Sequence, residues 1–297
     1  MASSPLVRRL RLAASLRQIR ATAGADGGPL KAEELARRSG QNRVVISRLE
    51  TGDRRPDVGR VMNVLEGLGL EEGSEPYRSL LRIARDAAAT GWWDARMFVN
   101  MGRRMAQTAN LESGAAKIRE YHNSLLPGLV QTSAFARHLA EGALRDGAEL
   151  DVEANLAGRA RRQEILDPGG AEYEMILEVQ AIQRITAPEP VLVEQLRHLL
   201  SLAQKPNIKM RVLPVDARLP KGLLPRAPFS MYDYTDPGDP TVVAVDTVTT
   251  DILLTEPADV VSYALMWARL DAAALSQEAS VELVKRAADA LAGKRSR

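Results

Sequence analysis

The sequence predicts a mainly α-helical chain with a mixed α+β C-terminal domain, and three features of its 297 residues carry that reading. Short amphipathic segments follow one another through residues 10–70, each closed by Gly, Pro or a capping residue. Residues 92–166 keep a helical apolar spacing that breaks at Pro127-Gly128. Residues 170–256 then change to β-branched or alternating stretches bounded by Pro, Asp and Gly.

Taken in order, Leu10, Leu12, Leu16 and Ile19 recur at near-helical spacing until Ala23-Gly24, and ADGGP (25–29) makes a loop. Lys31 to Arg38 reads as a short helix ended by Ser39-Gly40. Asn42 N-caps a helix from Arg43 to Glu50, closed by Thr51-Gly52. After Arg55-Pro56, Asp57 caps VGRVMNVLEGLGL, where Val58, Val61, Met62, Leu65 and Leu68 form one apolar stripe. A further helix over residues 74–91 carries Tyr77, Leu80, Leu81 and Ala84 on one side, and its tail TGWW marks the domain boundary. Trp92-Trp93 is read as the anchor of that linker helix. Beyond it, AEYEMILEVQ, NIKMRVLPV, APFSMYDY, TVVAVDTVT and TDILLTE read as strands, with a helix at Pro190–Ala203 among them. Two helices, Ala258–Ala274 and Gln277–Ala292, close the chain. The domains are therefore 1–73, a linker helix at 74–91, and 92–297, which is helical over 92–166, strand-rich over 170–256 and helical over 257–292.

A hydrophobic share of 45% and a charged share of 26% are those of a globular protein. With no cysteine, disulfides and thiolate metal sites are excluded. Arginines interrupt every apolar run near the N-terminus, and no run approaches the ~20 residues that span a bilayer. A cytoplasmic protein without a membrane partner is expected. The net charge of +2 hides an asymmetry. Residues 1–60 hold 13 Lys/Arg against 6 Asp/Glu, and residues 61–297 hold 27 against 32. A basic head on an acidic body suggests that only the head meets a polyanion.

The stretch RSGQNRVVISRLETGDRRP has the makings of a helix-turn-helix. Leu35, Ala36, Ile46 and Leu49 bury between two helices, and Gly40 supplies a turn that is costly for other residues. The opposite face of the second helix then carries Arg43, Val44, Ser47, Arg48 and Thr51. Arginine can donate two hydrogen bonds to guanine O6 and N7, worth roughly 1–3 kcal/mol of discrimination. Arg43 and Arg48 are the candidates for that contact, Val44 for a thymine methyl, and Ser47 for a base or a phosphate. Lys31, Ala32, Gln41, Asn42, Arg54 and Arg55 are the candidate phosphate contacts. Arg20 and Glu50 are read instead as a structural ion pair, and Arg37 and Arg38 as solvated.

LRQIRATAG…KAEELARRSGQNRVVISRLETGDRRP resembles the XRE/lambda-repressor-type helix-turn-helix family over residues 10–70. The resemblance implies a five-helix, lambda-repressor-like head that recognises a double-stranded DNA operator, usually as a homodimer. One departure stands out: ADGGP lengthens the link before Lys31, and the polar residue with which the family touches phosphate falls on Ala32. LESGAAKIREYHNSLLPGLVQTSAFAR, RRQEIL, VEQLRHLLSLAQKPNIKMRVLPV and PFSMYDY are similar to the C-terminal domain of actinobacterial WhiJ-type regulators. That similarity implies a transcriptional regulator whose C-terminal domain dimerises and receives a signal. Its alternatives are an antitoxin-like module that binds a small partner protein encoded nearby, and a sensor of a small-molecule effector.

Residue chemistry points away from an enzyme. His122, His138 and His198 are far apart in sequence and fall in no metal-ligand spacing, and no GxSxG, GxGxxG or P-loop occurs. No catalytic residue, metal or cofactor is expected. Asp233, Asp236, Asp239, Asp246 and Asp251 are read as mostly turn or solvated residues, with a cation or basic-partner site as the alternative. The segment SLLPGLVQT (124–132) leaves two readings open: a pocket wall or dimer contact, or a tight turn in the core.

Overall fold

The computed structural model describes residues 4–98, 100–219 and 225–294. The chain divides into two compact units, the first of residues 1–92 with 234–240, the second of residues 93–233 with 241–297. We call them the head and the body.

The head contains α1 (Pro5–Arg20), α2 (Ala32–Arg38), α3 (Arg43–Thr51), α4 (Val58–Gly67) and α5 (Glu75–Ala88). Four N-termini are fixed by side chains that take up otherwise orphaned backbone N–H groups, the first by Ser4 Oγ, which accepts from Val7 N at 3.2 Å. Asn42 Oδ1 accepts from Val45 N at 2.9 Å, Asp57 Oδ1 from Arg60 N at 2.9 Å, and Ser74 Oγ from Tyr77 N at 3.4 Å. All five helices contribute to one core, which includes Leu12, Leu16, Leu35, Ile46, Val61, Leu65, Tyr77 and Leu80. The helix expected at 74–91 as a linker is therefore a structural member of the head. Its apolar stripe was legible, but what it covers is α1, some 60 residues upstream by order of magnitude, and no local pattern announces that.

The head also takes residues 234–240. Within this segment Asp236 accepts from Arg8 Nη2 at 2.8 Å, and Asp239 accepts from Arg11 Nη1 at 3.1 Å. The Asp239 side chain is wholly shielded from solvent. Gly238 lies against the Arg11 guanidinium so closely that a Cβ would fall 2.2 Å from Nη2.

The body is built on a six-stranded sheet: β1 (Ala115–His122), β2 (Glu172–Glu178), β3 (Ile208–Leu213), β4 (Phe229–Tyr234), β5 (Val242–Asp246) and β6 (Asp251–Leu254). The spatial order is β3-β2-β1-β4-β5-β6. β1, β2 and β3 are parallel, with Tyr121 opposite Ile176 and Ile176 opposite Arg211. β4, β5 and β6 pair antiparallel. The helices are α6 (Arg103–Glu112), α7 (Ser133–Arg145), α8 (Val152–Gln163), α9 (Val179–Gln183), α10 (Glu189–Leu202), α11 (Pro257–Ala273) and α12 (Gln277–Lys294). One face of the sheet offers Tyr121, Ile176, Phe229, Met231 and Val243 to Trp267 and Leu270 of α11.

The other face is unusual in burying charge. Glu112 accepts from Arg162 Nε at 2.8 Å and from Nη2 at 2.6 Å, with both side chains almost fully enclosed. Beside them the carboxylate of Glu120 accepts from the Tyr173 hydroxyl and from Ser230 Oγ, the latter at 3.0 Å. Burial pushes both carboxyls above the usual range, and the neighbouring arginine opposes it.

Residues 92–166, expected to be helical throughout, contain β1, which lies inside the sheet between β2 and β4. The polar residues of AAKIREYH fit a buried strand because remote partners satisfy them. Lys117 meets Glu174 at 2.9 Å, Arg119 meets Asp233 at 2.6 Å, and the Tyr121 hydroxyl donates to Glu178 at 2.8 Å. SLLPGLVQT resolves to a core turn: Leu126, Leu129 and Val130 are buried, and Gln195 Nε2 donates to the Val130 carbonyl at 2.7 Å.

The five aspartates read as turn or solvated residues all face arginines. Asp233 pairs with Arg119, Asp236 and Asp239 with Arg8 and Arg11, and Asp246 and Asp251 with Arg104. Their basic partners belong to this chain.

Candidate nucleic-acid interface

The geometry of the α2–α3 pair begins at the turn. Gly40 has φ 63°, a left-handed conformation that strains residues with a side chain. The Gln41 N–H reaches back to the Ala36 carbonyl at 2.9 Å, and Ser39 Oγ donates to the Leu35 carbonyl at 2.7 Å. Gly67 of α4 approaches this turn so tightly that a Cβ would stand 3.0–3.2 Å from Ser39. Turn and helix are thus packed as one body, which fixes the direction in which α3 leaves.

Ile46 and Leu49 are buried on the inner side of α3. Arg43, Val44, Ser47, Arg48 and Thr51 are exposed on the other, with Val44 at 54%. An outward valine next to outward arginines gives this face both apolar and hydrogen-bonding character, the combination that base edges of the major groove present. Gly52, at φ 71°, ends the helix against the Arg9 carbonyl, where a Cβ would lie at 3.2 Å.

Arg20 braces this arrangement from α1. Its Nη2 donates to Glu50 Oε2 at 2.9 Å and its Nη1 to the Leu30 carbonyl at 2.8 Å. Leu30 N in turn donates to the Arg20 carbonyl at 2.9 Å, so one residue closes the ADGGP loop and holds the end of α3. The expected structural pair Arg20–Glu50 is present, and the Glu50 hydrogen bond holds the guanidinium pKa above its ordinary value. Arg37 and Arg38 are exposed and share Glu34, which they hold below the ordinary carboxylate range, Arg38 most strongly.

The phosphate candidates divide into two groups. Lys31, Arg54 and Arg55 are exposed. Ala32 is not presented to a ligand: its methyl group packs on the head's core, leaving only its backbone N–H for an anion. Asn42 spends its side-chain oxygen on the α3 cap, and Gln41 is half-buried beside it.

Two residues escaped the sequence reading. Arg60, in the first turn of α4, joins Arg48, Arg54 and Arg55 around a small cavity of about 120 Å³ floored by Leu49 and Pro56. Its signal was the Asp57 cap, which places Arg60 on the turn that follows DRRP. Glu33 of α2 stands 3.2 Å from Arg43 Nη1 across the helix pair. Among the described residues, no group of His, Asp or Glu is placed to hold a metal ion, and no helix is long and apolar enough to cross a membrane.

Two family models match the chain. One, described as Helix-turn-helix, covers residues 30–73 and supports a DNA-binding transcriptional regulator. The other, described as Domain of unknown function (DUF5753), covers residues 105–286, well over half of the sequence. No curated protein and no solved structure matches it.

Proposed function

We propose, from the premise that this chain belongs to the DUF5753 family and carries a helix-turn-helix head, that it reads a specific operator through α3 and is controlled through its body. The observation that carries this reading is the division of α3 into two faces. Ile46 and Leu49 face inward, while Arg43, Val44, Ser47 and Arg48 face out from a capped helix with a fixed exit.

In this reading Arg43 and Arg48 donate to guanine edges, Val44 meets a thymine methyl, and Ser47 bonds a base or an adjacent phosphate. Lys31, Arg54, Arg55 and Arg60 hold the backbone, with the α2 and α3 N-termini turned to the same phosphates through Ala32, Gln41 and Asn42. Support comes from pairing: within residues 31–60, the side chains of Lys31, Arg48, Arg54 and Arg60 have no hydrogen-bond or ion-pair partner among the described residues. Glu33 releases Arg43 when a base edge replaces it. Two copies would place their reading helices about 34 Å apart on a near-palindromic operator.

The test starts with an operator selected from random DNA by the full-length protein. Binding is then followed by fluorescence anisotropy across a salt series. Arg43→Ala and Arg48→Ala should each lose about 1–3 kcal/mol of discrimination at one base pair and relax preference there. Arg54→Ala should weaken all sequences alike and lower the slope of log K against log salt by about 1. If both α3 variants bind the operator as tightly and selectively as the parent, the assignment of α3 is wrong.

A further inference from the structure

Three parallel strands, β3, β2 and β1, end side by side at Leu213, Glu178 and His122. The chain leaving them opens a cavity of about 510 Å³, lined by Asn123 after β1, Gln180 after β2, and Pro214, Ala217 and Leu219 after β3. A crevice beyond the carboxyl ends of parallel strands is where open α/β sheets take their ligands. Its size falls in the range of about 300–1,000 Å³ usual for small organic molecules.

The charge at this site is the informative part. Elsewhere on the sheet, Glu174 is matched by Lys117 and Lys209, Asp233 by Arg119 and Asp251 by Arg104, while the enclosed Glu120 is held by the Tyr173 and Ser230 hydroxyls. Glu178 is half-buried in the cavity wall and has one partner, the Tyr121 hydroxyl, which donates to Oε1 at 2.8 Å. No lysine or arginine reaches it among the described residues, and none lines the cavity there. Burial raises its carboxyl above the ordinary range, and the Tyr121 hydrogen bond opposes that rise. The side-chain amides of Asn123 and Gln180 also lack partners among the described residues. Opposite them the β3 side is apolar, through Leu213, Pro214, Ala217 and Leu219, with Val215 78% exposed at the cavity.

We infer that this cavity binds a small organic cation, its ammonium or guanidinium group on Glu178, its apolar body along the β3 side and a hydrogen-bonding group between Asn123 and Gln180. An anion finds no cation in the described wall, and a purely apolar ligand leaves Glu178 with the Tyr121 hydroxyl alone and the half-buried Asn123 amide unpaired, which is costly once water is displaced. The ligand would also touch the packing of the sheet. The Tyr121 ring stands 5.7 Å from that of Phe229, and Phe229 meets Tyr263 of α11 edge-on at 5.0 Å. A ligand that takes over the Glu178 hydrogen bond therefore acts on an aromatic chain running beneath α11. This inference stands independently of the reading of α3.

The experiment uses the full-length chain and titration calorimetry. The probes are 2-phenylethylamine, tryptamine and hexylamine, each against the alcohol and the carboxylate of the same skeleton. At least one amine should bind about tenfold tighter than its alcohol, with the carboxylates weakest. Glu178→Gln should abolish the preference of amine over alcohol while circular dichroism shows the parent fold. Ala217→Trp, which fills the cavity and leaves Glu178 in place, should block both. The inference is overturned if no amine outbinds its alcohol, if a carboxylate binds as well as its amine, or if Glu178→Gln retains the preference.

Discussion

Head and body use the same side chain for opposite purposes. In the body, several arginines are consumed by the fold: Arg162 is enclosed with Glu112, Arg119 is held by Asp233, and Arg211 donates to Asp271 and to the carbonyls of Ala274 and Leu275. In the head, the same consumption occurs on α1 at Arg8 and Arg11, with Asp236 and Asp239, and at Arg20, with Glu50 of α3. Among the described residues, Arg48, Arg54 and Arg60 have no such partner and converge around one small cavity. A count of basic residues therefore overstates the surface a polyanion can use. An arginine already paired must give up one partner to gain another, as Arg43 must with Glu33.

The sharpest way to break this comparison is at Glu112. Glu112→Ala leaves Arg162 enclosed without its counter-charge and should cost about 3–5 kcal/mol in denaturant unfolding of the body. The double variant Glu112→Leu/Arg162→Met should recover much of that loss. A loss under about 1 kcal/mol for the single variant would mean that the pair is solvated and that the body's arginines are less committed than described.

A smaller effect belongs to the head. Asp239→Ala removes a shielded carboxylate from Arg8 and Arg11 but leaves Asp236 in place, and should cost about 1–3 kcal/mol. Hydrogen exchange should show faster opening of α1, while an unchanged α1 would assign Asp239 no part in the head's stability.

The gentlest probe is acid. The Gly238 N–H, with Arg8 and Arg11 adding to it, holds Asp236 down to about 2 from an ordinary 3.8. A folded value below the unfolded one contributes stability that is full above about pH 4 and fades as pH falls toward 2. Melting of the head between pH 5 and 2 should show that component, and Asp236→Asn should lack it.

How much of this was legible depended on whether partners lie nearby in sequence. The α3 helix was readable because its cap, its buried pair and its closing Gly52 all sit within ten or so residues of one another. The pair Arg20–Glu50 was expected from the sequence, and the strands after residue 170 were readable from their apolar runs. β1 was not, because a strand bearing Lys117, Arg119, Glu120 and His122 imitates an exposed helix until its partners on β2 and β4 are placed beside it. The expected turn is present at Asp236, which accepts from Gly238 N at 2.9 Å, but the ion pairs of residues 233–251 were not legible because the arginines that claim them lie on other elements. Arg60 was missed because its role depends on a cavity, which has no sequence signature.

The segment of residues 234–240 has a consequence for anyone cutting the gene. The two units part at residues 92–93, so a fragment ending there looks like a free-standing module. Such a fragment would keep all five helices and lose Asp236, Gly238 and Asp239, and with them the carboxylates seated on Arg8 and Arg11. The head is one domain written in two places. Moving it to another protein takes a graft with a second insertion, and a chimera joined at a single seam would inherit an incomplete helix α1 surface however carefully the seam was chosen.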